Sequence, residues 1–268
     1  MQGRVFRLGL YILAASLFLS GCRRNHDSRQ LPSNPLEALE EINNVVQGIK
    51  SARFTMEVAI GMAAEGLDVN LEMIGQGSLA FKGPPFQEAD MQMEMTTSVL
   101  GQEIKIEMLA VNGESWMRQR GQGWQKVPAT SVNLTAGLGG DPAAALRYLD
   151  QARDADKLDD EEIDGVDTYH FGFTMNADVL GTPELLGQLT NTGQLTDTQA
   201  RELLESAVLK GQVWVSKTDL FPRRETIDMT FQISNLPGLE ERPVKYNLQM
   251  DIAFSDINEP VDIKAPSG

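Results

Sequence analysis

Apolar and polar residues alternate along most of this 268-residue chain. In the first such segment, Phe54, Met56 and Val58 share one parity, whereas the charged Arg53 and Glu57 have the other. Successive side chains of a strand point to opposite faces, so this pattern predicts a half-buried antiparallel strand. A chain built mainly from such segments is constrained to a sheet with one apolar face.

The same alternation recurs in later segments. They lie at residues 67–81, 91–95, 104–108, 166–173, 213–215, 227–233 and 244–254. Asn112-Gly113 is typical of a tight type I′ hairpin turn, and Asp164-Gly165 predicts a second turn. Gly75 and Gly77 fall on the apolar parity of a long strand, where glycines often mark a bend that lets a sheet curl.

Helices are predicted at the start and in the middle of the chain. Asn34 and Pro35 have the residue types of a helix N-terminus. They precede an apolar stripe formed by Leu36, Leu39, Ile42, Val46 and Ile49. Further helices are predicted from Asp141, from Thr182 and from Thr196, the last with a capping-box pattern. Strands and helices together predict one α+β domain.

The N-terminus has the pattern of an export signal. Arg4 and Arg7 precede a mostly apolar run of 12 residues, Leu8 to Leu19, which is shorter than the roughly 20 residues that span a membrane. The stretch ending in Gly21-Cys22 resembles a bacterial lipobox, whose cysteine receives a lipid before cleavage. We therefore expect a lipoprotein signal peptide at 1–21, a lipidated tether at 22–33 and a folded domain at 34–268.

Charge and cysteine content exclude several classes of protein. Cys22 is the only cysteine, so the domain has no internal disulfide. The formal net charge is −15, and the absence of a basic stripe argues against nucleic acid as a partner.

No catalytic or metal-binding motif stands out. His26 lies in the tether and His170 in a predicted strand, where a structural role is favoured because no nucleophile or second ligand is near in sequence. The acidic run from Asp154 to Asp164 lacks the spacing of an EF-hand and is interpreted as a solvated charged loop. We expect no enzyme activity, no metal and no cofactor, although an acid/base pair among the many carboxylates stays open.

Six short motifs follow one another along the predicted strands and turns. They are Arg53-Phe54-Thr55-Met56, Val111-Asn112-Gly113-Glu114-Ser115-Trp116, Trp124-Gln125-Lys126-Val127, Val213-Trp214-Val215-Ser216, Leu220-Phe221-Pro222-Arg223-Arg224 and Phe254-Ser255-Asp256-Ile257-Asn258. With these motifs, the order of elements over most of residues 36–266 resembles the LppX/LprG-type bacterial lipoproteins, relatives of the LolA and LolB lipoprotein carriers. The resemblance implies a LolA-like fold: a curved antiparallel sheet of about 11 strands, an unclosed half-barrel, with helices on its concave side.

The resemblance also implies an apolar cavity for acyl chains between the sheet and the helices. Its expected lining is the apolar parity of the strands: Phe54, Met56, Val58, Ile60, Leu71, Met73, Met91, Met93, Met95, Ile104, Ile106, Met108, Met229, Phe231, Leu248 and Met250. Many of these are methionines, which suit adaptable binding surfaces. Periodicity alone favours an ordinary core, whereas the resemblance favours a cavity.

The expected function is therefore that of a membrane-anchored envelope lipoprotein that binds acyl chains and carries or presents a lipid or lipidated ligand. The alternatives are a LolB-like receiver of lipoproteins, or an envelope sensor or interaction module without lipid transport. A LolB-like receiver is expected to project an apolar loop; Leu220-Phe221 is the candidate here, although a tucked turn is preferred. The protein would lie on the outer face of the cytoplasmic membrane, or on the outer membrane if the host has two, with envelope transport proteins as candidate partners.

Overall fold

The computed structural model describes residues 30–64, 66–82, 89–99, 102–128, 149–175, 195–235 and 243–266. The predicted signal peptide, the lipobox with Cys22 and the helical segments predicted from Asp141 and from Thr182 lie outside these residues, apart from a single 3-10 turn at Leu149–Gln151.

Twelve strands in the described ranges form one antiparallel sheet. They are β1 Ser51–Ala64, β2 Leu67–Phe81, β3 Ala89–Val99, β4 Gln102–Val111, β5 Glu114–Gln119, β6 Gln125–Val127, β7 Ala152–Lys157, β8 Glu161–Ile163, β9 Val166–Met175, β10 Val208–Ser216, β11 Pro222–Ile233 and β12 Val244–Ser255.

The strand order shows that the sheet is open. It runs β6-β5-β4-β3-β2-β1-β12-β11-β10-β9-β7, so that the N-terminal strand β1 pairs with the C-terminal strand β12 in the middle. The terminal strands β6 and β7 do not pair with each other, and the short β8 pairs with the beginning of β9. The predicted α+β class and unclosed LolA-like half-barrel are confirmed.

The acidic stretch corrects one prediction. Residues Asp154 and Asp156, interpreted from the sequence as part of a solvated loop, lie in β7, which pairs with β9, and Glu161 and Glu162 lie in β8. An edge strand tolerates charges because its outer side meets water. The described sheet has twelve strands, in agreement with the predicted number of about eleven.

Two tight turns have the backbone that their residues predict. Asn112 and Gly113, between β4 and β5, have φ angles of 53° and 76°. Asp164 and Gly165, between β8 and β9, have φ angles of 50° and 79°. Positive φ at both central positions matches the right-handed twist of the flanking strands, which explains why asparagine, aspartate and glycine occupy these sites.

The first helix, α1, spans Pro35–Val46. The Asn34 side chain accepts a hydrogen bond from the backbone N–H of Leu36 at 2.9 Å, which satisfies a free donor at the helix start. Leu39, Ile42 and Val46 are fully buried and belong to the same apolar cluster as one face of the sheet. The helix packs near β7 and the 3-10 turn at Leu149–Gln151.

The second helix, α2, spans Asp197–Ser206 and begins with the predicted capping box between Thr196 and Gln199. It is fastened to the end of β11, because Glu202 accepts hydrogen bonds from the backbone N–H and the hydroxyl of Ser234 at 2.8 and 2.6 Å. The Ser234 hydroxyl lowers the pKa of Glu202. Neither helix of the described residues is long and apolar enough to cross a membrane.

Candidate ligand-binding face

The register of the strands aligns apolar residues in rows across the concave surface, which we call the inner face. One row crosses seven strands from β3 to β9. It contains Met95, Gly75, Met56, Ile252, Glu225, Val213 and Phe171. Residues opposite each other on neighbouring strands are in side-chain contact range, so each row is a continuous strip.

The neighbouring rows are also apolar. One of them lies nearer the end of β1 and the beginning of β12. It contains Met73, Val58, Met250, Ile227, Gly211 and Phe173. The next row contains Leu71, Ile60, Leu248, Met229, Leu209 and Met175. The inner face is therefore a wide apolar surface that belongs to one sheet.

All sixteen residues predicted to line a cavity lie on this face. Eleven of them are buried: Phe54, Met56, Val58, Met91, Met93, Met95, Met108, Met229, Phe231, Leu248 and Met250. The other five are partly exposed: Ile60, Leu71, Met73, Ile104 and Ile106. Their common placement is an observation, whereas their role in lining a ligand cavity stays a prediction.

Burial is graded along the inner face. Ala52, Phe54 and Leu79, at one end of β1 and β2, are at most 2% exposed. At the other end of these strands, Met62 is partly exposed and Val69 is 38% exposed, although both have the inner parity. On β1 and β2 the inner face is therefore buried at one end and open to solvent where β1 ends and β2 begins, whereas β11 and β12 stay buried at that end, with Ile233 4% and Val244 1% exposed.

Glycines allow large side chains to lie flat on the inner face. A β-carbon at Gly211 would come within 2.3 Å of the Phe173 ring, and one at Gly75 within 2.9 Å of the Met56 side chain. At Gly77 the added atom would lie 2.2 Å from the backbone oxygen of Gln92. The predicted importance of Gly75 and Gly77 therefore has a steric basis, because neighbouring groups occupy the space of their missing side chains.

Glu225 interrupts this apolar surface. It lies on β11 between Val213 of β10 and Ile252 of β12, and it is 0% exposed. Neither of its carboxylate oxygens has a hydrogen-bond partner in the part of the chain that the structure describes. Burial raises the pKa of Glu225 well above its ordinary value. An isolated buried carboxyl group is costly in its charged form, so the neutral acid is favoured.

The sequence contained a signal for Glu225 that the strand assignment missed. Glu225 has the same parity as Ile227 and Met229, so continuing the alternation two residues toward the N-terminus places an acid on the apolar face. The neighbouring Arg223 also has a buried Nε atom without a partner among the described residues, while its guanidinium pairs with Asp219.

Leu220 and Phe221 form a tucked turn. Leu220 is 2% exposed, has a φ angle of 61° and donates its N–H to the backbone oxygen of Ser216 at 2.9 Å. Phe221 packs against the same apolar cluster as the inner face. This turn therefore does not provide the projecting apolar loop expected of a LolB-like receiver.

His170 has a structural position on the opposite, outer face of the sheet. Its ring stacks on Trp214 at 4.2 Å between centroids and is 6% exposed. Its Nε2 atom lies 3.0 Å from Gln212 and its Nδ1 atom 3.4 Å from Glu161. The guanidinium of Arg224 lies 5.0 Å from the centroid of the Trp214 ring. Because Glu161 belongs to β8, its contact with His170 connects β8 to this cluster on the outer face.

The outer face also carries a polar groove of about 890 Å³. Arg53, Glu94 and Asp262 are among its lining residues, and the C-terminal segment 260–263 forms part of its wall. Of the predicted cavity residues, only Phe54 contributes to it. Among the described residues, no group of three histidine, cysteine, aspartate or glutamate side chains is arranged to hold a metal ion.

The sequence matches a family of unknown function, DUF6612, over residues 35–268, and the chain belongs to this family. No curated protein matches the chain.

Several solved structures are similar in fold. LprF from Mycobacterium bovis is 17% identical, with 88% of this chain and 100% of that chain covered and a TM-score of 0.49. Lipoprotein LppX from Mycobacterium tuberculosis is 14% identical, with 85% and 98% covered and a TM-score of 0.42. A LolA superfamily protein from Nitrosomonas europaea is 14% identical, with 86% and 95% covered and a TM-score of 0.26. The resemblance predicted from the sequence was to the same groups of proteins, the LppX-type lipoproteins and the LolA superfamily.

Proposed function

We propose that this protein is an envelope lipoprotein whose inner face binds the acyl chains of a lipid or lipidated ligand and carries or presents that ligand. The observation that carries the proposal is the inner face itself, a set of apolar rows crossing the sheet that is mostly buried and is partly exposed where β1 ends and β2 begins. A long apolar surface with an open end matches a flexible hydrocarbon chain, and its methionines can adapt to chains of different length.

The proposal assigns the three regions of the chain separate roles. Residues 1–21 direct export and residues 22–33 form a tether attached to the membrane through lipid on Cys22. Residues 34–268 form the binding domain. Two or more acyl chains on one cysteine are sufficient for stable anchoring, whereas a single chain is marginal. The protein acts by binding rather than by catalysis, with the membrane and envelope transport proteins as its partners.

The anchor is tested by the variant Cys22→Ala. We expect the wild-type chain to incorporate a labelled fatty acid during growth and the variant to lose the label and the processing step at this junction, because the acylated thiol is gone. The measurement is metabolic labelling followed by gel electrophoresis. Label retained by the variant, or absent from the wild type, would contradict the anchor.

The inner face is tested by placing tryptophan at a partly exposed position of β2. Met73 is partly exposed on the inner face, so Met73→Trp has room for its ring and should change the melting temperature little. The ring would occupy the path of an acyl chain, and we expect affinity for a fluorescent fatty acid to fall at least about fivefold, roughly 1 kcal/mol.

The neighbouring residue provides a matched control. Ile74 is 61% exposed and has the opposite parity, so Ile74→Trp adds the same ring to the outer face of the same strand. Its affinity for the fatty acid should equal that of the wild type. Equal affinities for the wild type, Met73→Trp and Ile74→Trp would exclude acyl binding at the part of the inner face around Met73.

A further inference from the structure

The unpartnered acid of the inner face has a place in ligand binding. Building on the function proposed above, we propose that Glu225 is the polar anchor of the site, where its carboxyl group hydrogen-bonds the acyl oxygen of the ligand, either an ester carbonyl or a free carboxyl group. The hydrocarbon chain then extends from this point over the apolar rows.

The position of Glu225 supports a contact with ligand rather than with protein. Its cross-strand partners are Val213 and Ile252, and the neighbouring row presents Ile227 and Met250. All four of these residues are buried and apolar, so they offer the carboxyl group no hydrogen bond.

Two other buried polar side chains of the described residues have hydrogen-bond partners, whereas the Nε atom of Arg223 lacks one, like the Glu225 oxygens. Gln199 donates to the backbone oxygens of Ser234 and Asn235 at 3.1 and 3.0 Å. Thr168 donates to the backbone oxygen of Glu161 at 2.7 Å. Buried polar groups in proteins are nearly always hydrogen-bonded, so two unpartnered oxygens on one fully buried side chain require a specific reason.

The hydrogen-bonding atoms of the Glu225 carboxyl group determine which class of ligand it can bind. A neutral carboxyl group has one O–H donor and an acceptor oxygen, which together complement a carbonyl or carboxyl group. Burial favours this neutral form, because it raises the pKa of Glu225 well above the ordinary value. An ammonium group would instead require the ionised form, and the nearby Arg223 already pairs with Asp219 rather than with Glu225.

The placement also suits an acyl group as a whole. The row that contains Glu225 continues over Ile252 to Met56, and the parallel row continues over Met250 to Val58. The methylene groups of an anchored acyl chain would therefore contact apolar side chains along these two rows. Glu225 would fix the position of the ligand, and the methionine-rich rows would accommodate chain length.

The test uses the full chain in detergent micelles with three photoreactive probes of equal length. They are palmitic acid, its methyl ester and the corresponding alkane, each with a diazirine in mid-chain. Glu225→Gln retains a donor and an acceptor and should be labelled by the acid and the ester within about twofold of the wild type. Glu225→Leu should lose at least about tenfold of this labelling while its labelling by the alkane is unchanged. Glu225→Met is a second apolar variant in case leucine prevents folding, which thermal melting would reveal.

Each outcome has a defined meaning. If an apolar variant loses labelling by both the acid and the ester, Glu225 anchors any acyl carbonyl. If the variant loses labelling by only one of these probes, that probe identifies whether Glu225 binds a free carboxyl group or an ester carbonyl. Equal acid and ester labelling of the wild type and of a folded apolar variant overturns the anchor while leaving acyl binding intact. A wild type that none of the three probes labels overturns the proposed function, and the anchor with it.

Discussion

Replacing Gly77 with alanine is expected to destabilise the protein by about 3 kcal/mol. The added β-carbon would lie 2.2 Å from the backbone oxygen of Gln92 and 2.7 Å from the ring of Phe54. The first of these contacts is with the backbone of a paired strand, which cannot rotate away as a side-chain end can. The strands β2 and β3 would have to separate at this point, and the curvature of the inner face would change. The measurement is the free energy of unfolding by chemical denaturation.

The control is the same substitution in a strand where space exists. A β-carbon at Gly172 of β9 would meet only Leu158, at an ordinary contact distance of 3.4 Å. Gly172→Ala should therefore be neutral or stabilise by up to about 1 kcal/mol, because alanine restricts the unfolded chain. Similar unfolding free energies for both variants would show that Gly77 is not a point of close approach.

Stability should fall with rising pH because of Glu225. Burial raises its pKa in the folded protein well above the ordinary value of 4.5. The folded state therefore holds a proton that the unfolded state releases, so the stability of the neutral form is fully present below pH 4.5. It is lost as the pH rises from there toward the raised pKa, by up to about 1.4 kcal/mol per pH unit.

The variant Glu225→Gln separates this effect from all other titrations. Glutamine has nearly the same shape and no charge, so the difference in unfolding free energy between variant and wild type should be smallest near pH 4 and increase toward pH 7. Glu202, whose pKa is lowered by the Ser234 hydroxyl, acts in the opposite direction and only at acid pH. It contributes equally to both proteins and cancels. A difference that does not change with pH would contradict a neutral, buried Glu225.

The alternation of apolar and polar residues predicted most of the sheet, because one face of the sheet is buried and the other is exposed to solvent. The segment Leu67 to Phe81 was predicted as a strand from its odd apolar positions, and β2 has the same bounds. The two turns were also predictable from the sequence, since Asn112-Gly113 and Asp164-Gly165 adopt a backbone conformation that few other residue pairs adopt. The open half-barrel was predicted from the resemblance to the LppX/LprG-type lipoproteins rather than from these patterns alone.

The remaining features depend on long-range contacts that alternation does not encode. Strand β7 carries Arg153, Asp154 and Asp156, and it is a strand because the backbone of β9 is available beside it. Glu225 was missed for a similar reason. An acid at an apolar position interrupts the hydrophobic pattern of the sequence, whereas the backbone pairing of β11 with β10 and β12 continues through it. The graded burial along β1 and β2 also required the structure, since Phe54 and Met62 have the same parity but differ in exposure.

Native mass spectrometry of the whole chain released from detergent micelles tests acyl binding on the inner face most directly. The account predicts a second mass species, heavier by one acyl lipid, that dissociates on collisional activation and therefore differs from any covalent lipid on Cys22. Met73→Trp should reduce this species strongly and Ile74→Trp should not. A wild-type chain that carries no dissociable lipid would contradict the account, and the inner face would then be an ordinary hydrophobic core.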